Sequence, residues 1–248
     1  MGLEMLEGKT ALITGASQRL GACVARTLAG RGVHVVIHYH KSESAASELA
    51  KDIVSSGGQA TILQGALEMP DSMELLVEEA MALAGPLDIL INNASIFDEI
   101  SFAAMTLESL QRNIAINAFA PVVLSRCFAA QGRPGAIINM VDTMVMDYDK
   151  KHVPYHLSKR TLQALTRIMA LEFAPSIRVN AVAPGLILPP PGENKAYLER
   201  LSSSNPLMCH GGAEDVVGAV LYLLQAGFVT GQTLYVDGGR HMRGSMYE

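Results

Sequence analysis

The chain is poor in charged residues and in cysteine, and each scarcity excludes a class of protein. Charged residues make up 17% of the 248 positions and hydrophobic residues 49%, a balance that excludes a disordered chain and supports a packed core. Lysine and arginine total 19 against 24 acidic residues and form no basic run, so we expect no nucleic-acid partner. The cysteines, Cys23, Cys127 and Cys209, are widely spaced, which argues against disulfides and a thiolate metal site.

The sequence also has no long hydrophobic run. Its longest apolar stretches, such as residues 136–141, are far shorter than the roughly 18 residues that cross a bilayer. The N-terminal segment contains Glu4 and Glu7 and lacks the apolar region of a signal peptide. We therefore expect a soluble cytoplasmic protein with neither a targeting signal nor a membrane partner.

Short aliphatic runs alternate with segments of helical period along the whole chain. Leu20, Val24 and Leu28, for example, recur at helical spacing. Because parallel strands need a crossover long enough for a helix, the alternation predicts an α/β doubly wound fold, with a seven-stranded parallel sheet and helices on both faces. We expect one domain over residues 1–248. The predicted strands are 11–14, 33–39, 60–63, 87–91, 136–141, 177–182 and 233–237.

One long segment breaks this alternation. Residues 184–206 contain Pro189, Pro190, Pro191 and Gly192 and form the longest stretch without a clear period. Long irregular loops in compact domains often cover active sites. We therefore expect this segment to be irregular and to act as a substrate loop or lid.

A glycine-containing turn, TGASQRLG at 14–21, joins the first predicted strand to a helix that begins near Arg19. Glycines at this place let the backbone approach a pyrophosphate, whose charge then lies at the helix N-terminus. An ordinary tight turn between a strand and a helix has the same pattern. The rest of the chain has to distinguish the two.

The second predicted strand ends in His38-Tyr39-His40-Lys41-Ser42, where an NAD-preferring site usually has an acid on the ribose 2′-hydroxyl. No acid is present. Arg19, His40, Lys41 and Ser42 instead offer cations and a hydroxyl to a 2′-phosphate, which favours NADPH/NADP+. The alternative is a solvated strand end that happens to be basic.

Tyr155 and Lys159 are four residues apart at the start of a long helical segment, so their side chains share one face. A nearby ammonium favours tyrosinate, so we expect the pKa of Tyr155 to fall from about 10 towards neutrality and the phenol to exchange protons. A YxxxK match alone is usually structural. Three further motifs accompany it here: Asn92-Asn93-Ala94, Pro184-Gly185 and Val236-Asp237-Gly238-Gly239.

In this order, the motifs TGxxxxxG, NNA, YxxxK, PG and DGG resemble the short-chain dehydrogenase/reductase family over essentially the whole chain. The resemblance implies a Rossmann fold, hydride transfer with a nicotinamide cofactor, Tyr155 as proton donor, Lys159 on the nicotinamide ribose, and a homotetramer. It also implies that Asn117 is the active-site asparagine, with Asn113 as a competitor. The expected cofactor-binding residues are Gly15, Ser17, Arg19, Leu20, Gly21, His38, Tyr39, His40, Lys41, Ser42, Leu67, Asn93, Ala94, Ser95, Tyr155, Lys159, Pro184, Gly185 and Leu186.

Three positions depart from the common pattern of that family. Arg19 and Ser95 stand where most relatives have glycine, and Asp142 stands where they have serine. A carboxylate would repel the oxyanion formed from a ketone by several kcal/mol. A ring C=N bond needs its nitrogen protonated, and a carboxylate can orient Tyr155 or a water for that transfer. Asp142 therefore suits imine reduction, with a surface acid near a turn as the alternative.

These departures look like the pteridine reductase branch, which includes dihydromonapterin and dihydrofolate reductases of bacteria. The shared features are Arg19, the segment 38–42, NNAS followed by Phe97, Asp142, and the ending DGGRHMR at 237–243. The resemblance implies a flat pterin stacked between the nicotinamide and Phe97, with Ser95, Asp142 and Tyr155 also at the substrate. Phe97 as an ordinary core aromatic is the alternative.

Two positions fit that branch less well, because Ala66 lacks the family's usual aspartate at the adenine, and Asp98 follows Phe97 where related chains are often apolar. The sequence thus predicts NADPH-dependent reduction of a pterin C=N bond. A carbonyl reductase for ketones or 3-oxoacyl thioesters is one alternative, and a non-catalytic NADPH-sensing protein is another. We expect no metal, and we expect the remaining histidines to be structural or exposed: His34, His152, His156, His210 and His241.

Overall fold

The computed structural model describes residues 4–146, 150–190 and 192–245. Pro191 of the expected substrate loop lies outside the described residues. So do the first three residues of the N-terminal segment and the last three of the expected domain. All the residues expected at the active site are described.

Seven parallel strands form one sheet in the order β3-β2-β1-β4-β5-β6-β7, which confirms the predicted doubly wound α/β fold. The side chains of the central strands β1 and β4 are buried on both faces, as in a sheet covered by helices on both sides, whereas the edge strand β3 is partly exposed. In β1, Ala11 and Ile13 pack into one hydrophobic cluster and Leu12 into the other. The strands are β1 (Thr10–Ile13), β2 (His34–Tyr39), β3 (Gln59–Gln64), β4 (Ile89–Asn92), β5 (Gly135–Met140), β6 (Ile177–Pro184) and β7 (Thr233–Val236).

Helices connect the strands and cover the two faces of the sheet. One face packs against helices α1, α2 and α8, and the other against α3, α5 and α6. A π-helical turn, Ala115–Phe119, follows α4. The helices are α1 (Arg19–Ala29), α2 (Glu43–Ser55), α3 (Pro70–Ala84), α4 (Leu107–Ile114), α5 (Ala120–Ala129), α6 (Val153–Glu172), α7 (Lys195–Leu201) and α8 (Ala213–Gln225). Among the described helices none is long and apolar enough to span a bilayer.

The expectation of an irregular segment over 184–206 is wrong in its second half, because that half contains α7. The Asn194 side chain caps this helix by accepting a hydrogen bond from the Ala196 N–H at 2.9 Å. Only Leu198 of the helix is buried. A seven-residue helix with so small a buried face has too little periodicity to be recognised in the sequence.

A buried polar link fixes α6 against the sheet. Asn92 and Asn139 are partners in the β4–β5 register, and the Asn92 amide donates to the Asn139 carbonyl oxygen at 2.8 Å. The Asn139 amide in turn donates to the Thr166 hydroxyl on α6 at 2.8 Å. Because buried polar groups need their partners, this link sets the position of the helix that carries Tyr155.

Candidate active site

Several of the expected site residues lie in the loops that follow β1, β4, β5 and β6. The strand order reverses between β1 and β4, and ligands of doubly wound sheets bind in the crevice at such a point. The loops that leave these strands carry Gly15, Ser95, Asp142 and Gly185. The topology therefore brings the glycine turn and the chemical residues to one edge of the sheet.

The glycine turn after β1 is packed too closely for larger residues. Gly15 has a positive φ of 60°, and a Cβ added there would lie 2.9 Å from the Ala94 Cα. A Cβ added to Gly21 would lie 2.5 Å from the Gly15 carbonyl oxygen. Both glycines are therefore required by the backbone, and the turn leads directly into the N-terminus of α1.

The NNA motif after β4 is hydrogen-bonded to the turn after β1. The Thr14 hydroxyl accepts the backbone N–H groups of Asn93 and Ala94, both at 3.0 Å. The Asn93 side chain donates to the carbonyl oxygens of Thr14 and Gly15 at 2.9 and 3.0 Å. Asn93 and Ala94 thus hold the loops after β1 and β4 together.

Arg19 has a left-handed backbone conformation, with a φ of 54°. This conformation is costly for a residue with a Cβ and explains why glycine is common at this position in chains with the same motif. The Arg19 guanidinium is exposed and donates to the Pro189 carbonyl oxygen at 2.8 Å. The side chain therefore connects the glycine turn with the segment after β6.

The His38 ring is buried under the glycine turn, and the place of His38 among the cofactor-binding residues stays a prediction. His38 has 2% of its surface exposed, its Nδ1 accepts the Gly15 N–H at 3.1 Å, and its Nε2 lies 3.2 Å from the Gly65 carbonyl oxygen. These contacts select the neutral Nε2–H tautomer. Burial lowers the pKa of His38 to about 4, with the Gly65 hydrogen bond opposing that effect.

Removing this imidazole should make the free energy of unfolding depend less on pH between about pH 7 and about pH 5. The unfolded chain binds a proton below pH 6.5, whereas folded His38 does so only near pH 4, so wild-type stability decreases as the pH falls between these values. The expected loss between about pH 7 and about pH 5 is about 2 kcal/mol. His38→Asn keeps an acceptor near Gly15 and should lose much less, as measured by urea unfolding. A dependence of stability on pH in His38→Asn equal to that of the wild type would contradict this assignment.

The other residues expected at the cofactor divide into buried and accessible groups. The side chains of Tyr39, Leu67 and Leu186 are buried and pack in or beside the core. His40 and Lys41 are exposed, and Ser42 is half-buried at the start of α2. The accessible cations therefore lie immediately after β2, at the same edge of the sheet as Arg19.

Tyr155 and Asp142 form the centre of the site. The Tyr155 hydroxyl donates to Asp142 Oδ2 at 3.0 Å, and Asp142 Oδ1 accepts the Met144 N–H at 2.7 Å. Tyr155 lies in the first turn of α6, which begins at Val153 with Pro154 in its first turn. The carboxylate is therefore held between the backbone and the phenol.

The expected fall in the pKa of Tyr155 is wrong. Burial raises the pKa well above its usual value, and the charge and hydrogen bond of Asp142 raise it further. The Lys159 ammonium lies 5.7 Å from the ring centroid and donates to the Met140 carbonyl oxygen at 2.7 Å. At neutral pH, Tyr155 is consequently a protonated phenol that can give up a proton.

Lys159 is buried on the same face of α6, as its spacing from Tyr155 predicts. Burial lowers its pKa to about 8, and the charge of Asp142 opposes that decrease. Its ammonium is therefore largely present at neutral pH. It is a buried cation close to the phenol, able to hold a hydroxyl group of a ligand.

Asn117 lies in the π-helical turn after α4 and connects three parts of the site. Its side chain accepts the Ser95 hydroxyl at 3.1 Å and the Ile96 N–H at 2.9 Å, and donates to the Ser158 hydroxyl at 3.0 Å. Asn113, the other candidate for the active-site asparagine, lies one helical turn before Asn117, and its side-chain oxygen accepts a hydrogen bond from the Asn117 amide at 3.4 Å. Asn117 is therefore the asparagine that joins the loop after β4 to the Tyr155 helix.

Phe97 is 55% exposed, so the alternative of a core aromatic is wrong. Its ring stacks on His152, with centroids 4.1 Å apart and planes inclined by 12°. It also makes an edge contact with Tyr155 at a centroid distance of 4.6 Å. Sequence reasoning missed His152 as a site residue. Its place three residues before Tyr155 was the available signal.

Asp98, which follows Phe97, faces away from these rings. Its carboxylate accepts from Arg112 at 3.3 Å and from Asn113 at 3.4 Å. Arg112 also pairs with Glu68 at 3.6 Å. These partners explain how an acid is accommodated at a position that is often apolar. In the parts of the chain that the structure describes, no cluster of three or more His, Cys, Asp or Glu residues is suited to a metal ion.

The arrangement matches a known family of enzymes. A family model described as enoyl-(acyl carrier protein) reductase matches residues 15–241. The chain belongs to the short-chain dehydrogenase/reductase family. It is an oxidoreductase, and its Tyr155–Lys159 pair lies beside Asp142, which follows β5.

Individual members of the short-chain dehydrogenase/reductase family resemble this chain over nearly its full length. The crystal structure of FolM alternative dihydrofolate reductase 1 from Brucella canis with NADP is 32% identical, covers 98% of this chain and 97% of its own, and superimposes with a TM-score of 0.91. The 3beta-hydroxysteroid dehydrogenase 1 of Eggerthella lenta is 35% identical, with 94% of each chain covered. The 3-oxoacyl-[acyl-carrier-protein] reductase of Synechocystis sp. is 31% identical, with 96% of this chain and 98% of the relative covered.

The last of the expected cofactor residues lie after β6 of this dehydrogenase/reductase. A Cβ added to Gly185 would lie 2.5 Å from the Asp237 Cβ, so the segment passes the end of β7 in close contact. The Gly185 N–H donates to the Val236 carbonyl oxygen at 2.9 Å. The PG motif therefore brings the backbone of the two last strands together beside the site.

Proposed function

We propose that this enzyme reduces a C=N bond in the ring of a pterin, from the dihydropterin to the tetrahydropterin, with NADPH as the reductant. The observation that carries the proposal is the Asp142 carboxylate, hydrogen-bonded to the Tyr155 hydroxyl at 3.0 Å where the family usually has a neutral hydroxyl. An exposed aromatic ring, Phe97, lies beside the same phenol. The similarity to a dihydrofolate reductase crystallised with NADP supports the assignment.

The cofactor site fits a dinucleotide with a 2′-phosphate. The glycine turn leads directly into the N-terminus of α1, where the positive end of a helix favours a pyrophosphate in doubly wound folds. Arg19, His40 and Lys41 supply accessible positive charge or donors where a carboxylate would repel a phosphate. We therefore propose NADPH/NADP+ as the cofactor, with Ser17 and Ser42 as hydroxyl donors.

Asp142 is suited to a pterin because pterins carry ring N–H and amino groups. A carboxylate accepts hydrogen bonds from such donors and thereby orients the ring, whereas a ketone presents only an acceptor. The half-exposed Phe97 ring offers a face for a planar heterocycle. A ketone intermediate would acquire negative charge close to the carboxylate, at a cost of several kcal/mol.

The chemistry then divides between cofactor and protein. NADPH supplies the hydride that adds to the ring carbon of the C=N bond. Tyr155 transfers its proton to the ring nitrogen, so that the bond gains a hydride and a proton together, and solvent later reprotonates the phenolate. Lys159 would hold the nicotinamide ribose with its buried ammonium, and the Asn117 side chain is hydrogen-bonded to Ser95 and to Ser158 on the Tyr155 helix.

A carbonyl reductase is the second candidate function. It is favoured by the similarity to a hydroxysteroid dehydrogenase and to a 3-oxoacyl reductase. The non-catalytic alternative is opposed by the Tyr155–Lys159 pair, which is intact, buried and in contact with Asp142 through the phenol.

The test is the oxidation of NADPH, followed by absorbance, with an oxidised pterin, a dihydropterin, dihydrofolate and a 3-oxoacyl ester. We expect kcat/KM for the dihydropterin or dihydrofolate to exceed that for the ester at least about a hundredfold, because the site pairs with ring donors that the ester lacks. We expect NADH to be a much poorer reductant. Rapid reduction of the ester without turnover of dihydropterins would contradict the proposed pterin reduction and would identify the enzyme as a carbonyl reductase.

We also propose that the enzyme is a homotetramer. On α6, Leu157, Ile168 and Leu171 are 40%, 59% and 83% exposed and lie on one face of the helix. A second apolar region lies near the C-terminal end of α8. It contains Phe228, which is 96% exposed, and Met5, whose neighbour Glu4 donates its N–H to the Gln225 carbonyl oxygen at the end of that helix. Two separate apolar surfaces support two interfaces, as in a tetramer with twofold axes. Light scattering should give four chain masses.

The cysteines support a reducing location. Cys23 and Cys127 are half-buried and Cys209 is exposed, and all three are free thiols. Exposed free thiols persist in compartments that keep cysteine reduced. We therefore propose that the enzyme is cytoplasmic, which fractionation of the source cells would test.

A further inference from the structure

The turn that follows β7 contains a buried carboxylate that the proposed mechanism does not use. The Asp237 side chain is 2% exposed. It accepts the backbone N–H groups of Gly239 at 2.9 Å and His241 at 2.8 Å, and it contacts His241 Nδ1 at 2.9 Å. Asp237 Oδ2 also accepts a hydrogen bond from the hydroxyl of Thr143.

This last contact reaches the active site, because Thr143 follows Asp142 in the chain. Thr143 is 3% exposed and begins a short 3-10 turn, Thr143–Met146. The same turn contains the Met144 N–H that holds Asp142 Oδ1. The hydrogen bond from Thr143 to Asp237 therefore holds in place the backbone of the turn that carries the Asp142 carboxylate.

The turn after β7 is also connected to the helix that carries the phenol. The Tyr235 ring stacks on His241, with centroids 4.1 Å apart and planes inclined by 19°. The Tyr235 hydroxyl accepts a hydrogen bond from the Gln163 side chain on α6 at 2.9 Å. The two elements that supply Asp142 and Tyr155 are thus both attached to the segment 235–241.

We propose that Asp237 is a positioning residue for the reduction. Through Thr143, it holds the Asp142 carboxylate at hydrogen-bond distance from the Tyr155 hydroxyl. The inference rests on the proposed role of Asp142, and it adds a contribution from the C-terminal turn to the active site. Asp237 touches neither substrate nor cofactor in this role.

The charge of Asp237 makes this anchor strong. Burial alone would raise the pKa of its carboxyl group, but the hydrogen bonds from Thr143, His241 and Gly239 outweigh burial and lower it. The group is therefore an anion at neutral pH. Hydrogen bonds to a charged acceptor are stronger than those between neutral groups, so loss of the Thr143 hydroxyl has a large local effect.

A positioning role and a merely structural one make different predictions for Thr143→Val, which deletes the hydroxyl and keeps the shape. We expect kcat to fall about tenfold or more, because a bond to a charged group is lost, while the KM for NADPH changes less than about twofold. Thr143→Ser restores the hydroxyl and should recover most of the rate. A merely structural role would lower the melting temperature of Thr143→Val and leave its kcat at the wild-type value.

The matched control is Thr230→Val. The Thr230 hydroxyl is hydrogen-bonded to backbone instead, accepting the Val179 N–H at 3.1 Å, and it lies far along β6 from the site. This variant should keep the wild-type kcat. All variants are compared as full-length protein. The substrate is the member of the panel that the wild type reduces fastest, whether it is a pterin or a ketone. The test of Asp237 therefore does not depend on which of the two proposed activities the enzyme has.

A double variant tests whether the effect passes through Asp142. Once Asp142→Asn has removed the carboxylate, adding Thr143→Val should lower kcat by less than about twofold further, since the two positions act as one unit. An unchanged kcat in Thr143→Val, failure of Thr143→Ser to recover the rate, or a full tenfold loss in the Asp142→Asn background would each overturn the proposal.

Discussion

Tyr155→Phe is expected to lower kcat about a thousandfold, within the range typical for loss of a general acid. The phenol donates a hydrogen bond to Asp142 at 3.0 Å, and its pKa is raised by burial, so it carries its proton at neutral pH. Affinity for NADPH should stay nearly unchanged, because Lys159 keeps its bond to the Met140 carbonyl oxygen without the phenol. Steady-state kinetics give the rate, and fluorescence titration with NADPH gives the affinity.

A matched control for this variant is Tyr222→Phe. Tyr222 lies on α8 with 53% of its surface exposed, and loss of its hydroxyl should leave the rate at the wild-type value. If Tyr155→Phe instead retained the wild-type kcat, the proton would have to reach the substrate from another group, and the assignment of Tyr155 would be wrong.

Asp142→Ser restores the hydroxyl that most relatives have and should change the preferred substrate. We expect kcat/KM for dihydropterin to fall about a hundredfold, because a charged acceptor for the ring donors is lost. Reduction of the 3-oxoacyl ester should be unchanged or faster, because the carboxylate no longer repels an oxyanion. The quantity to measure is the ratio of the two kcat/KM values, which cancels differences in the amount of active enzyme.

The control for Asp142→Ser is a substitution at a carboxylate whose partners are Arg112 and Asn113. Asp98→Asn alters an acid that follows Phe97 but is paired with Arg112, so it should leave the ratio unchanged. Asp142→Asn, which keeps the shape and removes the charge, should lower dihydropterin reduction in the same way as serine. A constant ratio across all these variants would show that the charge of Asp142 does not select the substrate.

Some of the active site could be predicted because it depends on local spacing. Tyr155 and Lys159 share a helix face at a separation of four residues, and the Lys159 ammonium lies 5.7 Å from the centroid of the Tyr155 ring. The pKa of Tyr155 could not be predicted from the same spacing. The Lys159 ammonium bonds a strand carbonyl, and burial together with Asp142 dominates the phenol.

His38 shows the same limit at the cofactor end. Its place in the HYH segment does not reveal that the His38 ring is directed under the glycine turn, since side chains alternate between the faces of a strand. The exposed His40 and Lys41, which follow β2, remain available to a phosphate. His152 was missed for a related reason, since its stacking partner Phe97 lies in a different loop.

The alternation of strands and helices, the glycine turn after the first strand and the shared helix face of Tyr155 and Lys159 follow from the sequence alone. Each depends on a period or a spacing within a few residues, and such patterns are written directly into the chain. The partners of Asp142 and the anchoring of its loop were decided only by the tertiary structure. Thr143 and Asp237 are 94 residues apart, and only the packing of β5, β6 and β7 in one sheet brings them into contact.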